Sequence, residues 1–200
     1  MKKNTDVVSA ERANWKFNGE LVNSFDAHIS KSVPLYKEGH DLICDMSDFF
    51  IKPKSLCYEI GCSTGTLTLK LATHHQNKPE AHFIGIDIEE DMIKKAEAKL
   101  AKVEGLNASF LAEDVMELDM HEADLIVCYY TVQFVKTSVR QNIINSIYEK
   151  LNWGGALFLF EKVRGADARF QDIITALYND YKLRAGYTPD EIINKSRSLK

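Results

Sequence analysis

Short apolar runs alternate along the chain with longer amphipathic segments. The runs carry the β-branched and aromatic residues typical of buried strands and cover residues 55–60, 82–88, 108–111, 124–130 and 156–160. The segments repeat apolar residues every three or four positions, as amphipathic helices do, and cover residues 67–74, 89–104, 138–151 and about 167–184. This alternation predicts an α/β fold with a Rossmann-like, doubly wound parallel sheet, for which we predict the strand order 3-2-1-4-5.

The first fifty residues have helical periodicity and no strand pattern. An apolar stripe predicts one buried helix face, formed by Leu42, Ile43, Met46, Phe49 and Phe50. Gly39 marks a break between helical pieces. We interpret residues 1–50 as a helical lid of the same domain as the core, residues 51–200. Four aromatic residues of the lid either close over a ligand or only bury its helices: Trp15, Phe17, Phe25 and Tyr36.

Charge and hydropathy exclude several classes of protein. The chain has 25 Lys and Arg residues against 29 Asp and Glu residues, a net charge of −4. This balance provides no electrostatic reason to expect direct nucleic-acid binding. No apolar stretch approaches the roughly 20 residues that span a bilayer, and no signal peptide opens the sequence. We therefore expect a cytoplasmic protein without membrane contact.

Cysteine and histidine patterns do not predict a metal site. The four cysteines contain no Cys-x-x-Cys pair, which favours reduced thiols over a disulfide framework or a zinc site. His74 and His75 fall at the end of a predicted helix, where imidazole complements the carbonyl-rich terminus. Ser138 and Thr188 are predicted helix caps, the latter followed by Pro189.

The turn after the first strand carries the most informative motif. Glu59 ends the strand, and Gly61 and Gly65 bracket a turn that contains neither lysine nor arginine. The spacing differs from the glycine patterns of dinucleotide and phosphate loops. A buried carboxylate here would repel a pyrophosphate, yet it suits a ligand with ammonium and sulfonium charges, such as S-adenosylmethionine (SAM). An ordinary glycine turn is the alternative for this stretch alone.

Acidic residues follow the next two strands as well. Asp87 ends the second apolar run, at about the distance where a carboxylate binds a ribose diol in such folds. Asp114 follows the third run, where it can accept from an adenine amino group. Three carboxylates at the ends of successive strands predict a SAM site.

The motif formed by Glu59, Gly61, Gly65, Asp87 and Asp114 resembles that of class I SAM-dependent methyltransferases. Longer segments are similar to the carboxy-S-adenosylmethionine (carboxy-SAM) synthase family, over about residues 15–200: residues 31–36, 61–63, 131–134, 151–156, 161–162 and 186–198. The resemblance implies an enzyme that places the carboxylate of prephenate on the methyl group of SAM, for tRNA wobble-uridine modification. It also implies a homodimer. Class I enzymes usually end in an antiparallel hairpin, which we do not find in this sequence.

The resemblance also implies roles for individual residues. Tyr36 would contact the ligand from the lid, and Asp87 would hold the ribose. Arg197 would pair with the added carboxylate, as a planar guanidinium does bidentately. The remaining implied cofactor-binding residues are Gly61, Cys62 and Ser63 at the methionine part and Asp114 with Val115 at the adenine.

The chain departs from the family at three positions. Tyr129 stands where the family has a binding-site asparagine, Leu35 replaces a glycine, and Ile88 replaces a polar residue after the ribose-binding acid. We include Tyr129 and Ile88 among the predicted ligand contacts. The changed Tyr129 favours a second hypothesis, a conventional methyltransferase acting on a small molecule or a modified biopolymer, with S-adenosylhomocysteine as product. A third is a SAM-binding subunit without catalysis.

Overall fold

The computed structural model describes residues 20–198 of the 200-residue chain. Within that range five parallel strands form one sheet in the order β3-β2-β1-β4-β5, which confirms the predicted fold class and topology. The strands are β1 (Leu56–Ile60), β2 (His82–Asp87), β3 (Ala108–Ala112), β4 (Ala123–Tyr129) and β5 (Leu151–Phe160). Among these residues no helix combines the length and apolar character needed to cross a membrane.

Both faces of the central strands are covered, which explains their continuous apolar sequence. Successive side chains of a strand point to opposite faces. On β4, Leu125 and Val127 belong to a cluster with Ile43 on one face. Ile126, between them, belongs to a cluster with Ile143 on the other face. Ile60, the last residue of β1, is paired with Ile86 of β2 and with Cys128 of β4. The loops that follow these three strands therefore emerge at the same edge of the sheet.

Seven α-helices lie within the described residues. They are α1 (Glu20–Ser32), α2 (Tyr36–Ser47), α3 (Thr66–His74), α4 (Glu90–Leu100), α5 (Thr137–Lys150), α6 (Ala168–Arg184) and α7 (Pro189–Ser198). The cap predicted at Thr188 is present: its hydroxyl accepts from the N–H of Glu191, and the Glu191 carboxylate accepts from the N–H of Thr188 at 2.6 Å. This reciprocal pair fixes the start of α7. Trp15, Phe17 and the rest of the lid before residue 20 lie outside the described residues.

The apolar stripe predicted for α2 was wrong in part. Ile43 is buried, but Leu42, Met46 and Phe49 are exposed. The buried face instead carries Gly39, His40, Ile43, Cys44 and Ser47. Apart from Ile43 these residues are small or polar, so a pattern based on hydropathy misplaces the face by about one residue.

Two predicted boundaries also need correction. Helix α5 begins at Thr137, and its N-cap is Lys136, without a side-chain hydrogen bond, so Ser138 is not the cap. Strand β5 begins at Leu151 and not at residue 156. Its register with β4 shifts between Ala123 and Leu125, so residues 152–155 form an irregularity inside the strand.

The chain divides into two compact units. The larger contains Asn18–Asp26 and Leu35–Lys162, with the whole sheet. The smaller includes Ala27–Pro34 and the chain from Val163 onward. Inside the smaller unit, tyrosine hydroxyls hold α1 and the C-terminal helices together: Tyr178 donates to the Ser32 carbonyl at 2.8 Å, and Tyr187 lies 2.8 Å from the Ser32 hydroxyl.

Candidate functional site

The turn after β1 needs its two glycines. Gly61 and Gly65 have φ angles of 74° and 71°, a left-handed conformation that glycine adopts without strain. A Cβ atom on Gly61 would also lie 2.3 Å from the side chain of Thr131. Substitution at Gly61 would therefore collide with the loop that follows β4.

The backbone N–H groups of this turn donate back into the protein. Those of Gly61 and Cys62 donate to the carbonyl oxygen of Ile86, at 2.7 and 2.9 Å. That of Ser63 donates to Asp87 Oδ2 at 2.8 Å. A phosphate-binding loop presents such groups to its ligand. Their engagement here agrees with the sequence argument against a phosphate site.

Asp87 lies beside the turn, at the end of β2. Its second oxygen, Oδ1, accepts from the N–H of Glu89 at 3.0 Å. Burial raises the pKa of Asp87, against the opposing effect of these backbone hydrogen bonds. An ionised carboxylate has about four acceptor positions. The backbone N–H of Ile88 also favours the ionised carboxylate, so at least one acceptor position remains for a ribose hydroxyl group.

Glu59 is buried at the end of β1, with 5% of its surface exposed. The hydroxyl of Thr68, on α3, donates to its carboxylate. Burial raises the pKa of Glu59 to about 8, and the negative charge of Asp87 acts in the same direction. The group is therefore largely protonated at pH 7. A cationic ligand nearby would favour its ionised form.

An aromatic group lies where α2 contacts the end of β4. The Tyr129 hydroxyl donates to the carbonyl oxygen of Tyr36 at 2.8 Å, and the two ring centroids lie 5.2 Å apart. His40 packs against both rings, at 4.6 and 4.8 Å, and burial lowers its pKa to about 4. A Cβ atom on Gly39 would lie 2.1 Å from the Tyr129 hydroxyl. Gly39 is thus a close-contact residue inside α2, and not the predicted break.

The loop after β4 contains groups that the sequence argument missed. Tyr130 has a φ angle of 58°, an unusual conformation for a bulky side chain and one that clusters at functional sites. The Glu161 carboxylate accepts from the N–H groups of Val132 and Gln133, at 2.6 and 3.2 Å. It thereby holds the loop that includes Thr131 against β5. The sequence signal for this group was the position of Glu161, an acidic residue directly after β5.

A polar network connects α1 to the same turn. Asp26 Oδ1 accepts from the hydroxyl groups of Thr64 and Thr66, at 2.6 and 3.0 Å. Its Oδ2 accepts from Lys99 Nζ at 2.7 Å. The lysine charge near the turn is therefore paired with a carboxylate.

The other predicted site residues occupy varied environments. Cys62 is buried, which raises the pKa of its thiol well above the usual value. Ile88 is 67% exposed. Asp114 is exposed and accepts from a backbone N–H two residues on, at 2.9 Å, while Val115 packs against the sheet. Arg197 is an exposed residue of α7, in the smaller unit.

Comparisons with known proteins show the domain type and the fold. Residues 58–155 match a family model described as a methyltransferase domain. The fold is similar to that of magnesium protoporphyrin IX methyltransferase from Synechocystis with bound S-adenosylhomocysteine (TM-score 0.63, 19% identity, 80% of this chain and 75% of that chain). It is also similar to SAM-bound CalS10, an amino pentose methyltransferase from Micromonospora echinaspora (TM-score 0.57, 17% identity, 77% and 60%).

Relatives found by sequence have higher identity to this chain than these two structures. Carboxy-S-adenosyl-L-methionine synthase of Staphylococcus epidermidis is 34% identical over 187 residues, 93% of this chain and 80% of the relative. The enzyme of the same name from Trichodesmium erythraeum is 36% identical, over 92% of this chain and 73% of the relative.

The family model, the sequence relatives and the fold together define the class of this protein. It is a SAM-dependent transferase with the class I methyltransferase fold. The inward-facing N–H groups and the carboxylates at the strand ends fit SAM, which carries positive charge and no phosphate. Within this class, the chain belongs to the carboxy-S-adenosyl-L-methionine synthase family.

Proposed function

We propose that this protein carboxylates the methyl group of SAM, with prephenate as the donor of the carboxylate. The observation that carries the proposal is the identity of 34% with a carboxy-SAM synthase across 80% of that relative's length. Bound SAM supplies the chemistry, an S-methyl carbon made acidic by the adjacent sulfonium. In the proposed reaction prephenate loses CO2 and its ring hydroxyl group, which leaves as hydroxide and takes a proton from the S-methyl carbon to give water. The electron pair left on that carbon then forms the new bond to CO2.

The residues at the strand ends would bind and orient SAM. Asp87 would accept from the ribose hydroxyls with the acceptor capacity that its backbone hydrogen bonds leave. Asp114, with Val115, would contact the adenine. Gly61 would keep the turn in its left-handed conformation, packed against Thr131. Ionised Glu59 would favour the positive charge of the ligand.

Arg197 is proposed to bind the added carboxylate, and Tyr36 to orient it. Both roles come from the family resemblance. An Arg197→Leu variant removes a bidentate charged partner, for which hydrogen bonds to charged groups contribute about 1.5–3 kcal/mol. We expect its affinity for carboxy-SAM to fall at least tenfold, with affinity for SAM little changed. Arg184→Leu, at the exposed end of α6, is the matched control. Undiminished carboxy-SAM affinity in Arg197→Leu would contradict this role.

Identification of the ligand that purifies with the protein tests the reaction directly. Native mass spectrometry measures the mass of the complex, and denaturation then releases the small molecule. A released mass equal to SAM plus CO2 supports the proposal. Release of SAM or S-adenosylhomocysteine alone, together with no carboxylated product after incubation with prephenate, would refute it.

Methyl transfer to an acceptor is the second candidate function. Tyr129 favours it, because its hydroxyl is engaged with the Tyr36 carbonyl and has neither the donors nor the shape of the family's asparagine amide. Isotope from the SAM methyl group would then appear in an acceptor, with no carboxy-SAM formed. A Tyr129→Asn variant that gains or increases carboxy-SAM formation would show that this residue selects between the two outcomes.

Four further properties belong to this proposal. We propose a cytoplasmic homodimer whose product serves tRNA modification, and we propose that residues 1–50 form a lid of the SAM-binding domain. Sedimentation analysis tests the dimer. Limited proteolysis with and without SAM tests the lid, since ligand-induced closure would protect its peptide bonds.

A further inference from the structure

Three side chains with metal-ligating atoms meet at the ends of two neighbouring helices. Asp48 follows α2, His74 ends α3, and His75 follows it. Within the described residues their ligand atoms lie within 4.8 Å of one another. Asp48 Oδ1 is 3.3 Å from His74 Nε2 and 3.7 Å from His75 Nδ1.

Hydrogen bonding determines which nitrogen of His75 carries the proton. The Ser47 hydroxyl donates to the Cys44 carbonyl at 2.6 Å, and the same oxygen lies 2.6 Å from His75 Nε2. A hydroxyl has one proton, so Ser47 accepts from Nε2–H. In the neutral ring Nδ1 then presents a bare lone pair. That atom is buried and lacks a hydrogen-bond partner, and its side chain is 0% exposed.

His75 Nδ1 and Asp48 Oδ1 are two acceptors only 3.7 Å apart. The Lys78 ammonium pairs with the carboxylate, but Nδ1 has no hydrogen-bond donor, so a cation that contacts both atoms would satisfy the nitrogen as well. Both helices also point their carbonyl-rich C-terminal ends at this place, and such ends favour positive charge. We propose that Asp48, His74 and His75 form a structural site for a borderline divalent cation such as Zn2+.

The distances from Asp48 Oδ1 to the two histidine nitrogens, 3.3 and 3.7 Å, suit zinc. Zinc bonds nitrogen and carboxylate oxygen at about 2.0–2.1 Å in a tetrahedral arrangement, so neighbouring ligand atoms lie about 3.3 Å apart. The His75 ring is also held in place, since it stacks on Phe83 with the ring planes 3° apart and donates to Ser47. Metal-binding histidines typically donate their second N–H to such an outer partner.

Lys78 is the competitor for this place. Its Nζ lies 3.5 Å from Asp48 Oδ1 and donates to the Ile51 carbonyl at 2.7 Å. Zinc would displace the ammonium group from the carboxylate while leaving its bond to Ile51 possible. We therefore expect a Lys78→Met variant to bind zinc more tightly than the natural chain.

The site is separate from the ligand-binding turn. Helix α3 begins at Thr66, directly after that turn, and His74 lies about 12 Å farther along its axis at 1.5 Å per residue. The proposed metal would connect the ends of α2 and α3. Its role is therefore stability and not catalysis.

Calorimetric titration of the untagged, metal-stripped protein with Zn2+ tests the proposal. We expect one ion per chain in the natural protein. Asp48→Asn and His74→Gln should each weaken binding at least tenfold, and Ser47→Ala about tenfold or more through the outer hydrogen bond. Asp45→Asn is the matched control, since it removes an exposed carboxylate three residues earlier on α2 and should leave binding unchanged.

A second measurement separates this site from the buried cysteines. Co2+ bound by nitrogen and oxygen gives visible bands without the near-ultraviolet thiolate charge-transfer band. A thiolate band would overturn the proposal. Absence of binding in the natural chain, binding in Lys78→Met alone, or unchanged binding in both Asp48→Asn and His74→Gln would overturn it as well.

Discussion

Glu59 provides a direct test of the electrostatics of the site. Its carboxyl group is buried, accepts from Thr68, and has a pKa raised by burial from 4.5 to about 8. One pKa unit corresponds to about 1.4 kcal/mol, so burying the ionised form costs on the order of 5 kcal/mol. This is a large fraction of the stability of a typical domain. The Glu59→Gln variant removes the titration while its amide oxygen still accepts from Thr68.

The sign of the effect follows from proton uptake. Between about pH 4.5 and 8 the unfolded chain releases the Glu59 proton, whereas the folded chain keeps it. The free energy of unfolding therefore falls as pH rises, by up to about 1.4 kcal/mol per pH unit from this group. Below pH 4.5 both states are protonated and the effect is absent. We expect Glu59→Gln to gain up to about 4 kcal/mol relative to the natural protein between pH 5 and pH 8.

Urea unfolding followed by circular dichroism at pH 5, 6, 7 and 8 measures this difference. Glu149→Gln, an exposed residue of α5, is the matched control, and its difference from the natural protein should stay within about 0.5 kcal/mol. A difference between Glu59→Gln and the natural protein that does not change with pH would refute the reasoning.

Three further substitutions test the turn and its surroundings. Asp87→Asn should weaken SAM binding at least tenfold by calorimetry, because hydrogen bonds to charged groups contribute about 1.5–3 kcal/mol. The control variant Asp45→Asn should leave SAM binding unchanged. Equal effects of the two substitutions would contradict the assignment of Asp87 to the ribose. Gly61→Ala should lower the free energy of unfolding by about 2 kcal/mol or more, given its φ of 74° and the contact with Thr131, so an unchanged urea midpoint would count against it. Leu35→Gly should raise the free energy of unfolding by about 0.5–1 kcal/mol. Leu35 has a φ of 55°, and a left-handed conformation costs a residue other than glycine about 1–2 kcal/mol. A lower melting temperature of the variant would contradict this prediction.

The class of fold followed from local sequence, and the strand order from the rules that govern how alternating strands and helices connect. A strand buried on both faces has a continuous apolar sequence, so β4 was evident from its residues alone. The turn after β1 was equally local, since a left-handed backbone position selects glycine at Gly61 and Gly65. Both signals arise within a few residues, where hydropathy and backbone sterics act directly.

The tertiary structure decided what depends on partners distant in sequence. His40 on α2 is buried and packs against Tyr36 and Tyr129. Tyr129 lies 89 residues after His40 in the sequence, and no hydropathy pattern predicts a buried imidazole. Glu161 holds the loop after β4 through backbone N–H groups nearly 30 residues earlier.

The histidine pair shows the same limit. His74 and His75 were visible in the sequence, but Asp48 joins them from another helix, and Ser47 selects the tautomer of His75. Local sequence determines the conformation of each segment, because propensity and periodicity act between near neighbours. Chemistry at a site depends on which side chains the packing of those segments brings within a few ångströms, and only the folded chain decides that.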